Sequence, residues 1–282
     1  MIRVSLLLPV YNAGAYLQAA LTSVEGDLTD DVEVVAVDDG STDGSGQTLE
    51  RWVASHRGTV IHQANAGLVG ALQTAVTVAK GSILARMDAD DVNVPGRIGA
   101  ARRLLEAHSD VVLVSPWYGF IRPDGTPAGD AYRFAWDAAA VDRALYVTNP
   151  IAHGAAVLRR DAYEAAGGYQ SSACEDLHLW DRMSDHGTVM LIPQVLYHYR
   201  VDVDSNTSRN PVAVATAAEA IKEARWDRRA PATRGIAAAA LRYRTTSSRS
   251  VHRAHLRVLG ARSRARGDAL RFLAFAAAYA VA

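Results

Sequence analysis

The sequence predicts an α/β fold: a mostly parallel central sheet flanked by helices, with a helical extension at the C-terminus. Three observations carry this. Runs such as RVSLLL and VEVVAV are short, rich in leucine or valine, and read as strands buried on both faces. Between such runs lie segments with apolar residues at helical spacing, and strands that alternate with helices imply crossover connections and parallel pairing. The chain has 282 residues, 49% apolar and 21% charged, which suits a folded protein with one large domain and an appendage, or two smaller domains.

Arg3–Leu8 is the first predicted strand, and Ala15–Val24 a helix with Leu17, Leu21 and Val24 on one side. Val32–Val37 is the second strand. Thr42–Ser55 follows as a helix with Thr42 or Asp43 as its N-cap, since a short oxygen-bearing side chain there accepts from free backbone N–H groups. Thr59–His62 is a brief strand, Leu68–Ala79 a helix closed by Gly81, and Ser82–Met87 a strand. Pro95 opens a helix to Ala107, its fixed φ suiting the first turn, and Val111–Ser115 is a further strand. RPDGTP (122–127) reads as a hairpin tip. Asp137–Val147 and Asp161–Ala166 read as helices, the second ended by GGY at 167–169. Glu175–His186 is helical, with Leu177, Leu179, Trp180 and Met183 on its apolar side, and Val189–Ile192 and Val195–Arg200 are two strands. From Val212 the chain reads as Ala/Arg-rich helices broken near Pro231 and the TTSSRS run at 245–250. These signals divide the chain into 1–210 and a basic extension, 211–282.

The formal net charge is zero, but it is unevenly placed. Residues 1–208 carry 15 Lys+Arg against 26 Asp+Glu, a balance of −11, and residues 209–282 carry 15 against 4, a balance of +11. An acidic part that uses cations and a basic part that meets an anionic surface, such as lipid headgroups, fit this split. No nucleic-acid-binding motif accompanies the basic residues. Cys174 is the single cysteine, so no intrachain disulfide forms; it reads as a small buried hydrophobe in a reducing, cytoplasmic setting. The opening MIRVSLLLPVYN is too short and too soon broken by Pro9 for a signal peptide, and no stretch approaches the roughly 20 apolar residues of a spanning helix. The expectation is a soluble protein, with peripheral contact at the inner face of the plasma membrane through the basic extension.

Three polar clusters each follow a predicted strand: Pro9, Tyr11 and Asn12; Asp38, Asp39 and Asp43; and Asp88, Asp90 and Asp91. In an open parallel sheet these points converge on the crevice beyond the carboxyl ends of the strands, where ligands bind. Each cluster alone has a plain reading: an Asp-Asp-Gly-Ser run is an Asx-type turn, and an acidic triplet is an acidic loop. Together they place six aspartates around one crevice. A divalent cation resolves that repulsion, since Mg²⁺ or Mn²⁺ binds through one or two carboxylates plus substrate phosphates. A nucleotide diphosphate is the phosphate source this implies.

The segments PVYNAGAYLQAALTSV, VVAVDDGSTDGS, NAGLVGALQTAV, ARMDADDVNVPGRI and ACEDLHLWDRM, in this order over about residues 3–208, resemble the family 2 inverting glycosyltransferases of the GT-A fold. The resemblance implies a GT-A-like, Rossmann-like sheet and transfer of a sugar from a nucleotide donor, UDP-linked, to a hydroxyl of a glycan or lipid-linked saccharide. It implies that Pro9, Tyr11, Asn12 and Asp39, with Asp38 beside them, line the pocket for base and ribose. Asp88 then faces the ribose or the metal shell, Asp90 ligates a Mn²⁺ or Mg²⁺ ion that bridges the diphosphate, and Asp91 caps the next helix. Glu175 and Asp176 match the family's catalytic pair, with Asp176 as general base; as a plain sequence feature they are acids at a helix start. Arg86 either reaches a phosphate or sugar or forms a structural ion pair.

The sequence departs from the family pattern in places. Asp202 stands where a His that helps hold the diphosphate or metal is usual, leaving His198 and Arg200 as candidates there, or as strand residues. Gln73 and Thr74 stand where a basic residue or Asn is common. His153 falls where related sequences keep a His near the sugar, or is a satisfied structural histidine. Trp117 and Trp180 either stack on acceptor sugar rings or pack in the core. Two other enzyme classes fit less well: no Gly-rich, Arg-containing loop of a sugar-phosphate nucleotidyltransferase follows the first strand, nor does the G-x-G-x-x-G of a dinucleotide oxidoreductase. A non-catalytic nucleotide-sugar or glycan-binding protein on the same fold is the alternative from another class.

Overall fold

The computed structural model describes residues 2–134, 137–146, 148–170, 173–201 and 211–229. Strand β1 (Val4–Val10) is buried along its whole length and pairs in parallel with β2 (Val32–Asp38) on one side and β4 (Ile83–Arg86) on the other. Strand β3 (Gly58–His62) extends the parallel set beyond β2. The other half is mixed: β7 (Val157–Arg159) runs antiparallel to β4 and to β6 (Val111–Ile121), β6 pairs in parallel with β8 (Thr188–Arg200), and β5 (Val92–Asn93) is antiparallel to β8. The eight strands lie in the order β3-β2-β1-β4-β7-β6-β8-β5.

Alternation along the central strands builds two cores. Leu6 and Leu8 of β1 pack on one face with α1 (Gly14–Val24), α2 (Ser45–Val53) and α4 (Arg97–Ala107). Leu7 packs on the other with α3 (Gly67–Val78), α5 (Ala138–Ala144), α6 (Arg160–Ala165) and α7 (Glu175–Met183). Both faces are covered, which explains why these strands read as unbroken apolar runs.

The structure corrects several predicted boundaries. Gly44 and Gly96 sit at the N-caps of α2 and α4 with left-handed φ of 90° and 93°, so Thr42, Asp43 and Pro95 lie outside those helices. Asp43 still serves α2, accepting from Ser45 N (3.0 Å), and it also accepts from Gly14 N (2.8 Å). The two strands expected at 189–200 are one, because Pro193 and Gln194 bulge out where Ile192 faces Pro116 and Val195 faces Trp117. Strands β5 and β7 are too short for any periodicity to announce them. The 122–127 hairpin tip is present, with Arg122 N donating to Thr126 O at 2.8 Å.

The C-terminal region is described as far as helix α8 (Pro211–Arg229). Val214, Ala217, Ala218 and Ile221 pack on the second core, and buried Cys174 donates from Sγ to Val214 O at 3.2 Å. Arg225 is fully buried between α7 and α5: it donates to Asp181 Oδ1 (2.8 Å), Ser184 Oγ (2.7 Å) and Asp142, and lies over the Tyr146 ring. Helix α8 is thereby bound to the helix that starts with Glu175. The rest of the basic extension, with its expected membrane contact, lies outside the described residues. No helix among the described residues is long and apolar enough to cross a membrane. Removing one partner of a buried ion pair strands the other, at about 3–5 kcal/mol. Arg225→Met is expected to lower the melting temperature by about 10 °C in a thermal melt, and Arg228→Met, whose side chain is 41% exposed, by no more than about 2 °C.

Candidate active site

The carboxyl ends of β1, β2 and β4 lie side by side, with Val10 opposite Asp38 and Leu7 opposite Arg86. The loops that leave them are tied together. Asn12 takes φ of 48°, which Asn tolerates, and its Oδ1 accepts from Thr42 N (2.8 Å) while its own N–H donates to Ser41 Oγ (3.0 Å). Pro9 is buried within β1, and Tyr11 is 55% exposed at the rim. Asp39 is buried, with Oδ1 accepting from Gln63 Nε2 (2.7 Å) and Ala66 N (2.8 Å). Asp38 turns the other way, toward Ser41 N (3.0 Å) and His62 Nδ1 (2.9 Å). Burial would raise the Asp38 carboxyl, but the Ser41 and His62 hydrogen bonds outweigh it and hold it low. His62 bridges Asp38 and Glu50, and its hydrogen bond to Asp38 leads the causes that raise it.

The acidic triplet sits inside a frame of buried arginines. Arg86 is almost wholly buried and donates to Met87 O (2.7 Å) and Asp88 Oδ1 (2.8 Å), so it is an ion-pair partner of the triplet. Arg200 is also buried: its backbone N–H donates to Asp91 Oδ1 (2.7 Å), its Nε to Asp90 O, and its Nη1 to the carbonyls of Arg122 (2.8 Å) and Pro123 (3.0 Å), while its guanidinium lies over Tyr16. Asp91 therefore does not cap α4; it holds the end of β8. The hydroxyl of buried Tyr197 accepts from Asp88 N at 3.2 Å. Even so framed, the acids are crowded. Burial, then the charge of Asp88, pushes Asp90 up to about 6, and burial with both neighbouring charges pushes Asp91 up.

Among the described residues no three His, Cys, Asp or Glu converge as a metal-binding group. The carboxylates of Asp88 and Asp90 nevertheless fit a hard divalent cation that takes the rest of its oxygens from a ligand. Arg86 occupies Asp88 Oδ1, and burial raises the Asp90 carboxyl although the Arg200 and Arg86 charges act against it.

The second acidic pair opens α7. His153, in the 3-10 turn His153–Ala155, faces Glu175 Oε1 through Nδ1 (3.4 Å) and Tyr169 OH through Nε2 (2.9 Å). Burial would raise Glu175, but the His153 hydrogen bond and charge prevail and lower it. Asp176 accepts from Asn149 Nδ2 at 2.7 Å and from Leu177 N at 2.7 Å. Its carboxyl is raised, by burial first and by the Glu175 charge next. The two acid clusters meet at Gly154: a β-carbon there would stand 2.5 Å from Asp88 Oδ2 and 2.1 Å from Tyr197 OH. Only glycine lets the His153 turn lie against the triplet.

Other expected contacts fall elsewhere. Trp180 is fully buried, edge-on to His153, so it packs in the core and offers no face to an acceptor. Trp117 donates from Nε1 to Phe134 O (2.8 Å) and packs against the second core. His198 and Arg200 line a cavity of about 700 Å³ with Tyr16, Val92, Phe120 and Pro123, and Arg200 also stands beside the triplet through Asp90 O. Burial lowers His198. Gln73 donates to Tyr169 O (2.9 Å), and Asp202 lies outside the described residues. Sequence reading missed Asn149, Tyr169, Gly154, Tyr197 and His62. Their partners are distant along the chain, 27 residues for Asn149 with Asp176 and 109 for Tyr197 with Asp88.

Comparison with known proteins gives the family. GlyG, a glycosyltransferase of Streptococcus pneumoniae, is 30% identical over 126 residues, which cover 43% of this chain and 41% of GlyG. Two solved structures share the fold: S. aureus TarS 1–349 in complex with UDP-GlcNAc, at TM-score 0.67 and 16% identity over 99% of this chain and 89% of that one; and the mannosyltransferase PcManGT of Pyrobaculum calidifontis in complex with GDP-Man and Mn²⁺, at TM-score 0.62 and 20% identity over 99% and 86%. The family model described as glycosyl transferase family 2 matches residues 5–167, more than half of the 282-residue chain, so the protein belongs to glycosyl transferase family 2.

Proposed function

We propose that this glycosyltransferase moves a sugar from a nucleotide donor, UDP-linked, to a hydroxyl of a glycan or lipid-linked saccharide, with inversion at the anomeric carbon. The observation that carries the reading is the divided acid pair on α7. Glu175 is held ionised by His153, while Asp176, raised by burial and its neighbour, is suited to take a proton. Nucleotide sugars in the related structures, UDP-GlcNAc in TarS and GDP-Man in PcManGT, support the donor class.

An acceptor hydroxyl is a poor nucleophile, so a carboxylate must take its proton as the new bond forms. In this reading Asp176 does so, held in place by Asn149. The acceptor oxygen bonds to the anomeric carbon on the face opposite the diphosphate. The carbon–oxygen bond to the diphosphate breaks, and its electron pair leaves with the nucleoside diphosphate. Exposed Tyr11 would stack on the base, and buried Asp39 would accept from base or ribose through the oxygen not engaged with Gln63 and Ala66. Asp88 and Asp90 would hold a divalent cation, Mn²⁺ or Mg²⁺, which when bound supplies Lewis-acid stabilisation of the charge on the leaving diphosphate. Residues 1–210 form the catalytic domain in this reading. The basic remainder of 211–282 draws the enzyme to anionic lipid beside a membrane-bound acceptor at the cytoplasmic face.

Two variants test the assignment by nucleoside diphosphate release from UDP-GlcNAc or GDP-Man with Mn²⁺. Asp176→Asn is expected to cut turnover by roughly 10²–10⁴. Because the folded pKa of Asp176 lies above its unfolded value, the ionised carboxylate costs stability once pH rises through the folded pKa. At pH 7 relief of that charge offsets the one hydrogen bond an amide cannot keep with both Asn149 Nδ2 and Leu177 N. The Asn variant is therefore expected to melt within about 4 °C of the wild type, and full activity with melting intact would remove Asp176 from the reaction. Gly154→Ala forces a methyl group into Asp88 and Tyr197 and is expected to reduce turnover by at least about tenfold, as small displacements of reacting groups do.

A further inference from the structure

Arg97 lies in the ARMDADDVNVPGRI segment but has no role assigned there, and its contacts join the site's two halves. It opens α4 and is wholly buried. Its Nε donates to Asn93 Oδ1, its Nη1 to the carbonyls of Ala155 (3.0 Å) and Gly154 (3.5 Å), and its Nη2 to the carbonyl of Arg86 (3.0 Å). Its guanidinium carbon lies 5.3 Å from the centre of the Tyr197 ring, whose hydroxyl holds Asp88 N. None of these hydrogen bonds goes to a carboxylate. A buried cation whose hydrogen bonds go only to carbonyls and an amide, with the Asp27 and Asp88 charges acting without direct contact, is costly. Burial lowers its pKa, but guanidinium stays charged in proteins. Such a residue is better explained by the geometry it imposes than by the stability it adds.

The acceptors belong to separate functional segments. The Arg86 carbonyl ends β4, just before the triplet. Gly154 and Ala155 follow His153, the partner of Glu175. Asn93 follows the triplet and is itself fixed, donating to Asp27 Oδ2 at 2.9 Å. A rigid fork of five donors reaches these acceptors together, and a lysine ammonium on a flexible stem does not.

We propose that Arg97 is a positioning residue for sugar transfer: it locks the His153 turn to the end of β4, so that the base and the diphosphate site address one reacting carbon. This rests on the reading of the site as a sugar-transfer centre. Arg159 provides an internal comparison, since it also clasps carbonyls, those of Val111, Leu105 and His108, but touches neither acid cluster.

The test combines turnover and affinity in the full chain. Release of nucleoside diphosphate from UDP-GlcNAc and GDP-Man is measured with Mn²⁺, and binding of UDP and GDP by calorimetry. Arg97→Lys keeps the charge and removes the fork. The expected result is a fall in kcat of at least about tenfold with nucleotide Kd within about threefold of wild type. Arg159→Lys, compared at equal loss of melting temperature, is expected to keep kcat within about threefold. A folded Arg97→Lys with wild-type kcat, or with a kcat loss no larger than that of Arg159→Lys, overturns the proposal. Should Arg97→Lys fail to fold, Asn93→Ser decides. It removes the Nε acceptor together with the Asn93 contacts to Asp27 and Ser23, so it is compared with Asp27→Asn at equal loss of melting temperature. A kcat loss at least about threefold larger at unchanged Kd supports the proposal, and no larger loss overturns it. A wild-type protein that neither binds nor turns over any nucleotide sugar would overturn the reading of the site and this proposal with it. Wild-type turnover indifferent to Arg97 overturns this proposal alone.

Discussion

Three buried arginines around one acidic loop are the constraint on which the rest of the structure depends. Arg86, Arg97 and Arg200 come from β4, α4 and β8, and each is under 5% exposed. The acids they surround, Asp88, Asp90 and Asp91, are consecutive but for Ala89. Every arginine does a different task. Arg86 pairs with Asp88; Arg200 clasps the carbonyl of Asp90 and, through its backbone, the carboxylate of Asp91; Arg97 fixes the backbone on either side. The sheet order makes this meeting possible, since β4 lies beside β7 and β5 pairs with β8, bringing the triplet, the His153 turn and the end of β8 together.

That frame answers only part of the charge problem. With the arginines in place, Asp90 still sits at about 6 and Asp91 higher than an ordinary carboxyl. Burial and like charge thus raise two of the three acids despite the arginines, a pattern that is common at functional sites. On α7 His153 lowers Glu175 and also acts on Asp176, but burial with the Glu175 charge still raises Asp176. The stability that permits this comes from elsewhere: two apolar cores on opposite faces of the sheet and the Arg225 clasp, which binds α8 to α7.

The fold was legible in the sequence where one local signal dominated. β1, β2 and β4 read correctly because burial on both faces leaves an unbroken apolar run, and the position of the polar clusters after those strands followed from the strand ends. β5 and β7 were not legible, since two or three residues carry no period and their pairing depends on strands far along the chain. Side-chain direction was legible least. Asp91 looks like a helix cap and is instead a backbone acceptor for Arg200, and Arg97, in VPGRI, gives no sign that it reaches Gly154 and Ala155. Such contacts are products of topology, and spacing along the chain does not encode them.

The central claim is that Asp88 and Asp90 form an oxygen site completed by a cation and a diphosphate together. Its most direct measurement is a titration of Mn²⁺ into the protein, followed by electron paramagnetic resonance, with and without UDP or GDP. The account predicts weak binding by the protein alone, binding tightened at least about tenfold by one of the nucleotides, and loss of that gain in Asp90→Asn. Nucleotide binding that is unchanged by chelation and by Asp90→Asn would contradict it.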